Sequence, residues 1–576
     1  MPEKEEIAAL FREIAVMLEI KGDNPFKIRA YQTAAGVVEN MDGDLRQLSA
    51  SGELAKHKGI GKAVEGKIAE FLEAGKIAYY EELKSSIPPV LFELVKIPGL
   101  GPKKALILAG ELGIQSIGEL EYACRENRLT GLAGFGEKTQ QKILQGIEYV
   151  KKYQGQFLLV DAWPVAQKIA EYLSAYEFVA EAAVAGSIRR RKEIVKDIDI
   201  VVAANQGSKV NEAVVSMPGV SAVIGSGPTK TSVTLATGMN LDVRVVGPEL
   251  FVAALHHFTG SRDHHICLRG IAKEKGYKIN EYGIEQADGK LLAVQSEQQI
   301  YQLLGLPYIV PELREGTDEI DAALTGKLPV LIREQDIQGS FHMHTTYSDG
   351  SSSLAEMAAA AQRRGWSYIG ITDHSQTAVY AKGLKPERVQ AQRREIEALN
   401  AQNKDFRIFA GIESDILPDG SLDYPDEILA EFDFVIASVH SAFRQSKADM
   451  TRRIISALQN PYVTMLGHPT GRILLARDGY ALDLAEVLAA AAATGTIVEI
   501  NSSPYRLDLD WRWHRQAKQA GIVFSINPDA HSVEELDQVL FGVAMARKGW
   551  LTADDVVNTR DKDAVIDFLQ AKRIKN

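Results

Sequence analysis

Apolar residues near the start of the chain recur three and four positions apart. Ile7, Leu10, Phe11, Ile14 and Leu18 make one stripe of an amphipathic helix. That spacing, broken by short glycine turns, predicts helices throughout residues 1–150. From 151 to about 316 the pattern changes: Asp199 to Ala203, Ser232 to Ala236 and Leu241 to Val246 read as strands set among helices. Residues 317–335 read as a linker, within which Leu328 to Ile332 is a candidate short strand. Beyond 336, β-rich runs alternate with helical ones: Tyr368 to Thr372, Phe406 to Ile412, Phe434 to Val439, Val463 to Gly467, Ile497 to Ile500 and Ile522 to Ile526. Such alternation predicts a parallel barrel or a doubly wound sheet.

A chain of 576 residues is enough for about three to five domains. Its 45% apolar and 24% charged residues are those of ordinary globular protein. No run approaches the roughly 18 apolar residues of a membrane span, and the acidic N-terminus lacks a secretion signal. Two distant cysteines, Cys124 and Cys267, imply a reducing, cytoplasmic setting without a disulfide framework. A net charge of −11 argues against a passive nucleic-acid coat protein. It does not argue against an enzyme whose basic residues are local. Lys56-His57-Lys58, Pro102-Lys103-Lys104 and Arg189-Arg190-Arg191-Lys192 are such clusters, each beside a motif.

Three turns repeat one device: Gly59-Ile60-Gly61, Gly99-Leu100-Gly101 and Gly134-Phe135-Gly136. The glycines permit a sharp turn and bring backbone N–H groups within reach of a phosphate, while the central apolar residue anchors the turn. Lys62, Lys103 and Lys138 follow. The device resembles the helix-hairpin-helix, which holds DNA backbone without reading sequence. Glu137 suits a phosphate poorly, so a purely structural role for the third turn stays open.

Asp197 and Asp199 alternate with apolar residues, so both project from one face of a strand. Asp242 lies in another such strand. Three converging carboxylates repel one another unless divalent cations neutralise them, and they can hold two Mg²⁺ ions for phosphoryl chemistry. Upstream, Gly186-Ser187 offers close access to a triphosphate, and Arg190 can neutralise its charge.

This spacing resembles the nucleotidyltransferase palm of family X DNA polymerases, typified by DNA polymerase beta. The resemblance covers residues 1–316 and continues through His257-Phe258-Thr259-Gly260-Ser261, Arg269, Gly276-Tyr277 to Tyr282-Gly283 and Leu306-Pro307-Tyr308. It implies that Gly186, Ser187, Arg190, His257, Phe258, Gly260, Ser261, His265 and Arg269 bind the nucleotide. It further implies that Gly59, Gly61, Gly99, Gly101, Lys103 and Lys67 bind DNA. His257 stands where vertebrate relatives have tyrosine, His265 where they have asparagine, and Asn240 where an arginine supports the third carboxylate. Lys67 aligns with a lysine that some relatives use as a Schiff-base nucleophile, although Ala63 replaces one basic helper.

Seven of twelve histidines follow residue 340, and six of them sit beside acidic or strand-end positions. They occur in Phe341-His342-Met343-His344 through Asp349, Asp373-His374, Val439-His440, Gly467-His468-Pro469 and Asp529-Ala530-His531, with Glu413 between. Strand ends of a parallel barrel converge on one mouth, where clustered His, Asp and Glu make a multinuclear metal site. The pattern resembles the PHP (polymerase and histidinol phosphatase) domain over residues 336–576. Carried over, His342, His344, Glu413 and Asp529 hold one ion; Glu413, His440 and His468 a second; Asp349, His374 and His531 a third. Mn²⁺ and Zn²⁺ both suit such ligands, as does Fe²⁺. Arg444 and Arg472 are candidate phosphate holders or plain surface residues, and His514 stands outside the motifs.

Together the resemblances imply a multidomain α+β and α/β chain. Its parts are a helix-hairpin-helix domain at 1–85, a second such subdomain at 86–155, a mixed-sheet palm at 156–245 and a nucleotide-selection subdomain at 246–316. A linker at 317–335 and a distorted (βα)7 PHP barrel at 336–576 complete it. The implied function is gap-filling DNA synthesis from deoxynucleoside triphosphates, with metal-dependent 3′→5′ exonuclease or phosphoesterase activity. The expected partner is gapped or nicked DNA, and the expected form is a cytoplasmic, nucleoid-associated monomer with no membrane contact. Two rivals are a small-molecule phosphoesterase with a vestigial polymerase half, and a non-catalytic scaffold for DNA ends.

Overall fold

The computed structural model describes residues 2–575 apart from 40, 42–44, 55, 56, 58, 115, 126, 127, 130, 131, 133, 154 and 476. Lys56 and Lys58 of the first basic cluster and Ala133 of the third turn therefore lie outside the described residues. The chain divides into two compact units, residues 1–154 and 155–576.

The first unit is helical, and its apolar stripes meet in one continuous core that includes Ile7, Phe11, Ile14 and Leu18. The central residues of the three turns, Ile60, Leu100 and Phe135, are buried in that core. Gly59, Gly99 and Gly134 take φ of +110°, +84° and +85°, a region that disfavours side chains. Gly61 and Gly101 cap the helices Lys62–Ala74 and Pro102–Glu111, with open space where a Cβ would stand. The first-turn N–H groups of these helices thus face an unobstructed surface. Gly146 lets the helix Glu137–Tyr153 approach Pro98. An added Cβ there would lie 2.8 Å from the Pro98 carbonyl oxygen.

In the larger unit, Phe157–Leu158 (β1) pairs with Ile194–Val195 (β3) beside the palm sheet. The palm sheet contains Glu181–Val184 (β2), Asp197–Ala203 (β4), Val220–Gly227 (β5), Lys230–Leu235 (β6) and Asn240–Val246 (β7). Its order is β2-β4-β7-β6-β5. Only β4 and β7 run parallel, so the sheet is mixed as expected. Ile198, Ile200, Leu241 and Val243 alternate with polar residues and pack under the helices Leu159–Ser174 and Gly207–Val215.

Residues 251–324 form helices around an antiparallel sheet of Tyr277–Asn280 (β8), Gly283–Gln286 (β9) and Leu291–Leu292 (β10). Two expectations need correction here. The stretch read as a linker carries the helix Glu319–Leu324, whose Ile320 and Ala323 are buried. Glu319 anchors it by accepting hydrogen bonds from His264 Nδ1 at 2.8 Å and from Gly316 N and Thr317 N, each at 2.9 Å. Leu328 to Ile332 is not a strand, and the Ile332 N–H bonds instead to the Leu551 carbonyl.

The remainder is a parallel barrel of seven strands in chain order: Gly339–Ser340 (β11), Tyr368–Ile371 (β12), Arg407–Asp415 (β13), Phe434–Ser438 (β14), Met465–Leu466 (β15), Ile497–Asn501 (β16) and Phe524–Asn527 (β17). A bridge between Met343 and Ala530 brings the first and last strands together. Inside, Phe341, Tyr368, Phe409, Phe434, Met465 and Ile497 fill the lower layer, and Val565 and Leu569 of the helix Lys562–Lys575 close it from below. Gly370 and Gly411 make room for the rings: a Cβ on either would approach Phe434 to 2.6 or 2.4 Å. Alternation along β13 carries Phe409, Gly411 and Glu413 to the same side. The packed floor thereby sets Glu413 above it.

Candidate active sites: a carboxylate triad and a histidine-lined metal centre

The parallel register of β4 and β7 places Asp199 opposite Asp242 and Asp197 opposite Asn240. Adjacent strands lie about 4.8 Å apart and alternate residues share a side, so the three carboxylates gather on one face of the sheet. Burial, then the charges of Asp197 and Asp242, push the Asp199 carboxyl up to about 7. Burial and Asp242 also raise Asp197. Such a set is relieved by divalent cations. Asp242 receives Lys230 Nζ at 2.5 Å and Ser232 Oγ at 2.6 Å. The support that Asn240 does not give thus comes from β6.

Gly186 takes φ of +61°, and a Cβ on it would lie 2.0 Å from Asp199 Oδ2. Gly186→Ala should therefore displace that carboxylate. Displacements near 1 Å cost about 10²-fold in rate. Steady-state gap filling should fall by about that factor, with hydrolysis at the barrel unchanged. Ser187 lies next to Gly186 in the short helix Gly186–Arg189 and is half-buried. Arg190 is held by the Glu315 carboxylate at 3.3 Å and by the Thr259 carbonyl. Arg189 and the buried Arg314 both pair with Glu297 at 2.8 Å. Despite burial, those guanidiniums hold the Glu297 carboxyl well below its usual range.

His257 and Phe258 end the helix Phe251–Thr259, and Gly260 and Ser261 follow, Ser261 capping the next helix through His264 N. His265 is turned to the His257 carbonyl at 2.9 Å and stacks on its ring. Arg269 is exposed. In the first unit, Lys67 lies 4.8 Å over the Tyr79 ring and donates to the Ala63 carbonyl. Burial lowers its pKa, and Lys27 adds to this against Glu70. Lys103 stands in the first turn of its helix.

At the barrel mouth the structure brings together all nine expected residues. Glu413 is central: Oε1 lies 3.2 Å from His342 Nε2, 3.2 Å from His440 Nε2 and 3.0 Å from His468 Nε2, and Oε2 lies 2.8 Å from His374 Nδ1. Asp529 Oδ1 lies 3.2 Å from His344 Nε2 and 3.5 Å from His342 Nε2. Asp349 meets His531 at 3.5 Å and His374 at 3.7 Å. Two ligands about 2.1 Å from one tetrahedral ion are about 3.4 Å apart, so these separations suit metal sharing. The groupings share ligands more widely than the expected partition. His344 sits with Asp349, His374 and His531 as well as with His342 and Asp529, and His374 also joins Glu413 and His440.

The donor chemistry fits metals as well as the spacing does. Both ring nitrogens of the buried His344 lack a hydrogen bond. Burial, His531 and His374 hold its pKa down at about 3, the neutral form that ligates. Burial opposes the charge on Glu413, yet His440, His342 and His374 keep its carboxyl well below the usual range. His342, His468 and Asp529 take left-handed backbone, with φ of +59°, +22° and +53°. Strain of this kind gathers at functional sites.

Several residues here received no role from the sequence. Glu499 accepts from His342 Nδ1, and Asp415 from His440 Nδ1, each at 2.5 Å. Such contacts fix which imidazole nitrogen is left for metal. The buried Asp373 accepts from Thr345 N, Thr345 Oγ1 and Ser348 N, tying down the loop that carries Asp349. Arg506 Nε lies 3.6 Å from Asp529 Oδ2. Arg472, a candidate phosphate holder or plain surface residue, is bound to Arg506 O, Leu507 O and Asp510. Arg444 is exposed, and the buried His514 bonds to the Leu509 carbonyl.

A mixed sheet with a carboxylate triad, joined to a parallel barrel with a histidine-lined mouth, defines a nucleotidyltransferase fused to a metallohydrolase. Family models match in the same order: a helix-hairpin-helix domain at residues 2–77, a SAM-like helix-hairpin-helix tandem at 91–148, a DNA polymerase beta thumb at 254–315 and a PHP domain at 340–503. The chain is 42% identical over 570 residues to the DNA polymerase/3′-5′ exonuclease PolX of Bacillus subtilis, covering 98% of this chain and 99% of that one. It is 29% identical over 253 residues to a probable phosphatase of Thermoanaerobacter sp. strain X514, covering 41% of this chain and 95% of the relative. It is 22% identical over 339 residues to DNA polymerase lambda of Rattus norvegicus, covering 52% and 54%. The chain belongs to the bacterial family X DNA polymerases that carry a C-terminal PHP domain. No helix among its described residues is long and apolar enough to cross a membrane.

Proposed function

We propose that this chain fills short gaps during DNA repair and removes unsuitable 3′ ends at its barrel, with gapped or nicked DNA and deoxynucleoside triphosphates as substrates. The observation that carries this reading is the register pairing Asp199 with Asp242 beside Asp197. Asp197, Asp199 and Asp242 would hold Mg²⁺, and the nine residues at the barrel mouth would hold up to three Mn²⁺ or Zn²⁺ ions. When bound, these metals acidify the attacking hydroxyl or water and offset charge on the phosphate.

The chain's own groups do the rest. Gly186, Ser187 and Arg190 seat the triphosphate. His257, Phe258, Gly260 and Ser261 would serve the sugar and Arg269 the nascent pair, with His265 acting there through its contact with His257. Gly59, Gly61, Gly99, Gly101 and Lys103 hold DNA backbone, with Lys67 beside them. At the barrel, Glu499 and Asp415 aim their imidazoles, and Arg506, near Asp529, meets the scissile phosphate. The protein acts as a monomer at the bacterial nucleoid.

A labelled one-nucleotide-gap duplex in Mg²⁺ or Mn²⁺ tests the reading. Extension is expected with nucleotides present and 3′ shortening without them. Turnover of small phosphate esters alone, or tight DNA binding without turnover, would overturn it.

A further inference from the structure

Lys548 ends the helix Val539–Lys548, which packs on β16 and β17 of the barrel. The packing is close: a Cβ on Gly542 would lie 2.5 Å from Ile526 and 2.6 Å from Ser502. Lys548 itself points away from the metal mouth and toward the polymerase palm. It is 1% exposed. An ammonium has three donors, and Lys548 Nζ meets three oxygens: Arg190 O at 2.9 Å, Glu312 O at 3.2 Å and Glu315 Oε1 at 2.5 Å. Burial pulls its pKa down to about 8 against the pull of Glu315 and Glu193, so it is mainly charged at neutral pH.

Glu315 is the junction. Its carboxylate also takes Arg190 Nε at 3.3 Å and Lys192 Nζ at 3.3 Å. Lys548 therefore grips Arg190 twice, directly at its carbonyl and through Glu315 at its guanidinium. The surrounding contacts share one polarity. Arg512 meets Glu193 and Arg547 meets Glu312, each at 2.8 Å, and Arg515 meets Asp318. Every cation in these pairs comes from the barrel and every anion from the polymerase half. A seam that only joined two domains would not need a fully satisfied ammonium at the nucleotide-binding arginine. Buried charges of this kind are costly to desolvate and act mainly by fixing geometry.

We infer that Lys548, a barrel residue, is a positioning residue of the nucleotidyl-transfer site: it fixes Glu315 and the Arg190 main chain, and so the guanidinium that meets the triphosphate. The inference rests on the polymerase reading above. The test is steady-state filling of a one-nucleotide gap by the full chain, its Lys548→Met and Glu315→Gln variants, and the double variant. A lost ground-state contact appears in KM more than in kcat. Each single variant should raise the KM for the incoming nucleotide by about tenfold or more, with kcat within about threefold. Shortening of 3′ ends without nucleotides should stay within about twofold of the parent. Because the two residues act in one chain of contacts, the double variant should be no worse than the more affected single one. An unchanged KM in both single variants, fully additive effects, or equal loss of extension and shortening in both would each overturn the inference. If the parent chain itself does not extend gapped DNA, the polymerase reading falls first.

Discussion

Asp199→Asn, assayed on a one-nucleotide gap, loses extension by at least about 10³-fold, roughly 4 kcal/mol of barrier, while 3′ shortening continues at the parent rate. Asp199 is more buried than Asp197 and feels both other carboxylates. Removing its charge would weaken the hold of the three carboxylates on the cations they would bind. A second readout has the opposite sign. A carboxyl raised to about 7 from its ordinary value binds more protons folded than unfolded. Its ionisation thus costs stability as pH rises through that interval, and the full cost is present at pH 8. In chelator at pH 8 the neutral variant should melt higher than the parent, by calorimetry. A lower melting temperature together with lost extension would point to simple misfolding.

His344→Ala should do the reverse. Its Nε2 lies 3.2 Å from Asp529 and 3.7 Å from Glu413, and its Nδ1 lies 3.9 Å from Asp349. It therefore stands between two of the clustered groups. Loss of such a residue should lower bound metal per chain, measured by plasma emission, and reduce 3′ shortening by about 10²-fold or more. Gap filling should persist. Loss of both activities in either variant, with melting unchanged, would contradict two independent sites.

The residues legible in sequence were those whose chemistry conflicts with their local setting. Asp197, Asp199 and Asp242 interrupt apolar strands, and six histidines close them, so each marks itself. Glu499 and Asp415 carried the same signal, lying inside the buried strands β16 and β13. Glu499 was passed over, and Asp415, two residues beyond Glu413, was given no role, because neither matches a direct metal ligand. Arg472 stayed open between phosphate and surface because sequence does not show that its donors serve the loop at 506–510. Lys548 was out of reach. Its partners lie 358 and 233 positions away, and nothing local to the helix Val539–Lys548 hints at them.

The helix Lys562–Lys575 under the barrel has a consequence for traffic. With Val565 and Leu569 wedged beneath Phe341, Tyr368 and Phe409, the interior is a stoppered cup, not a tunnel. No severed nucleotide can leave through that floor, so release belongs to the side of the barrel on which the strand arrives.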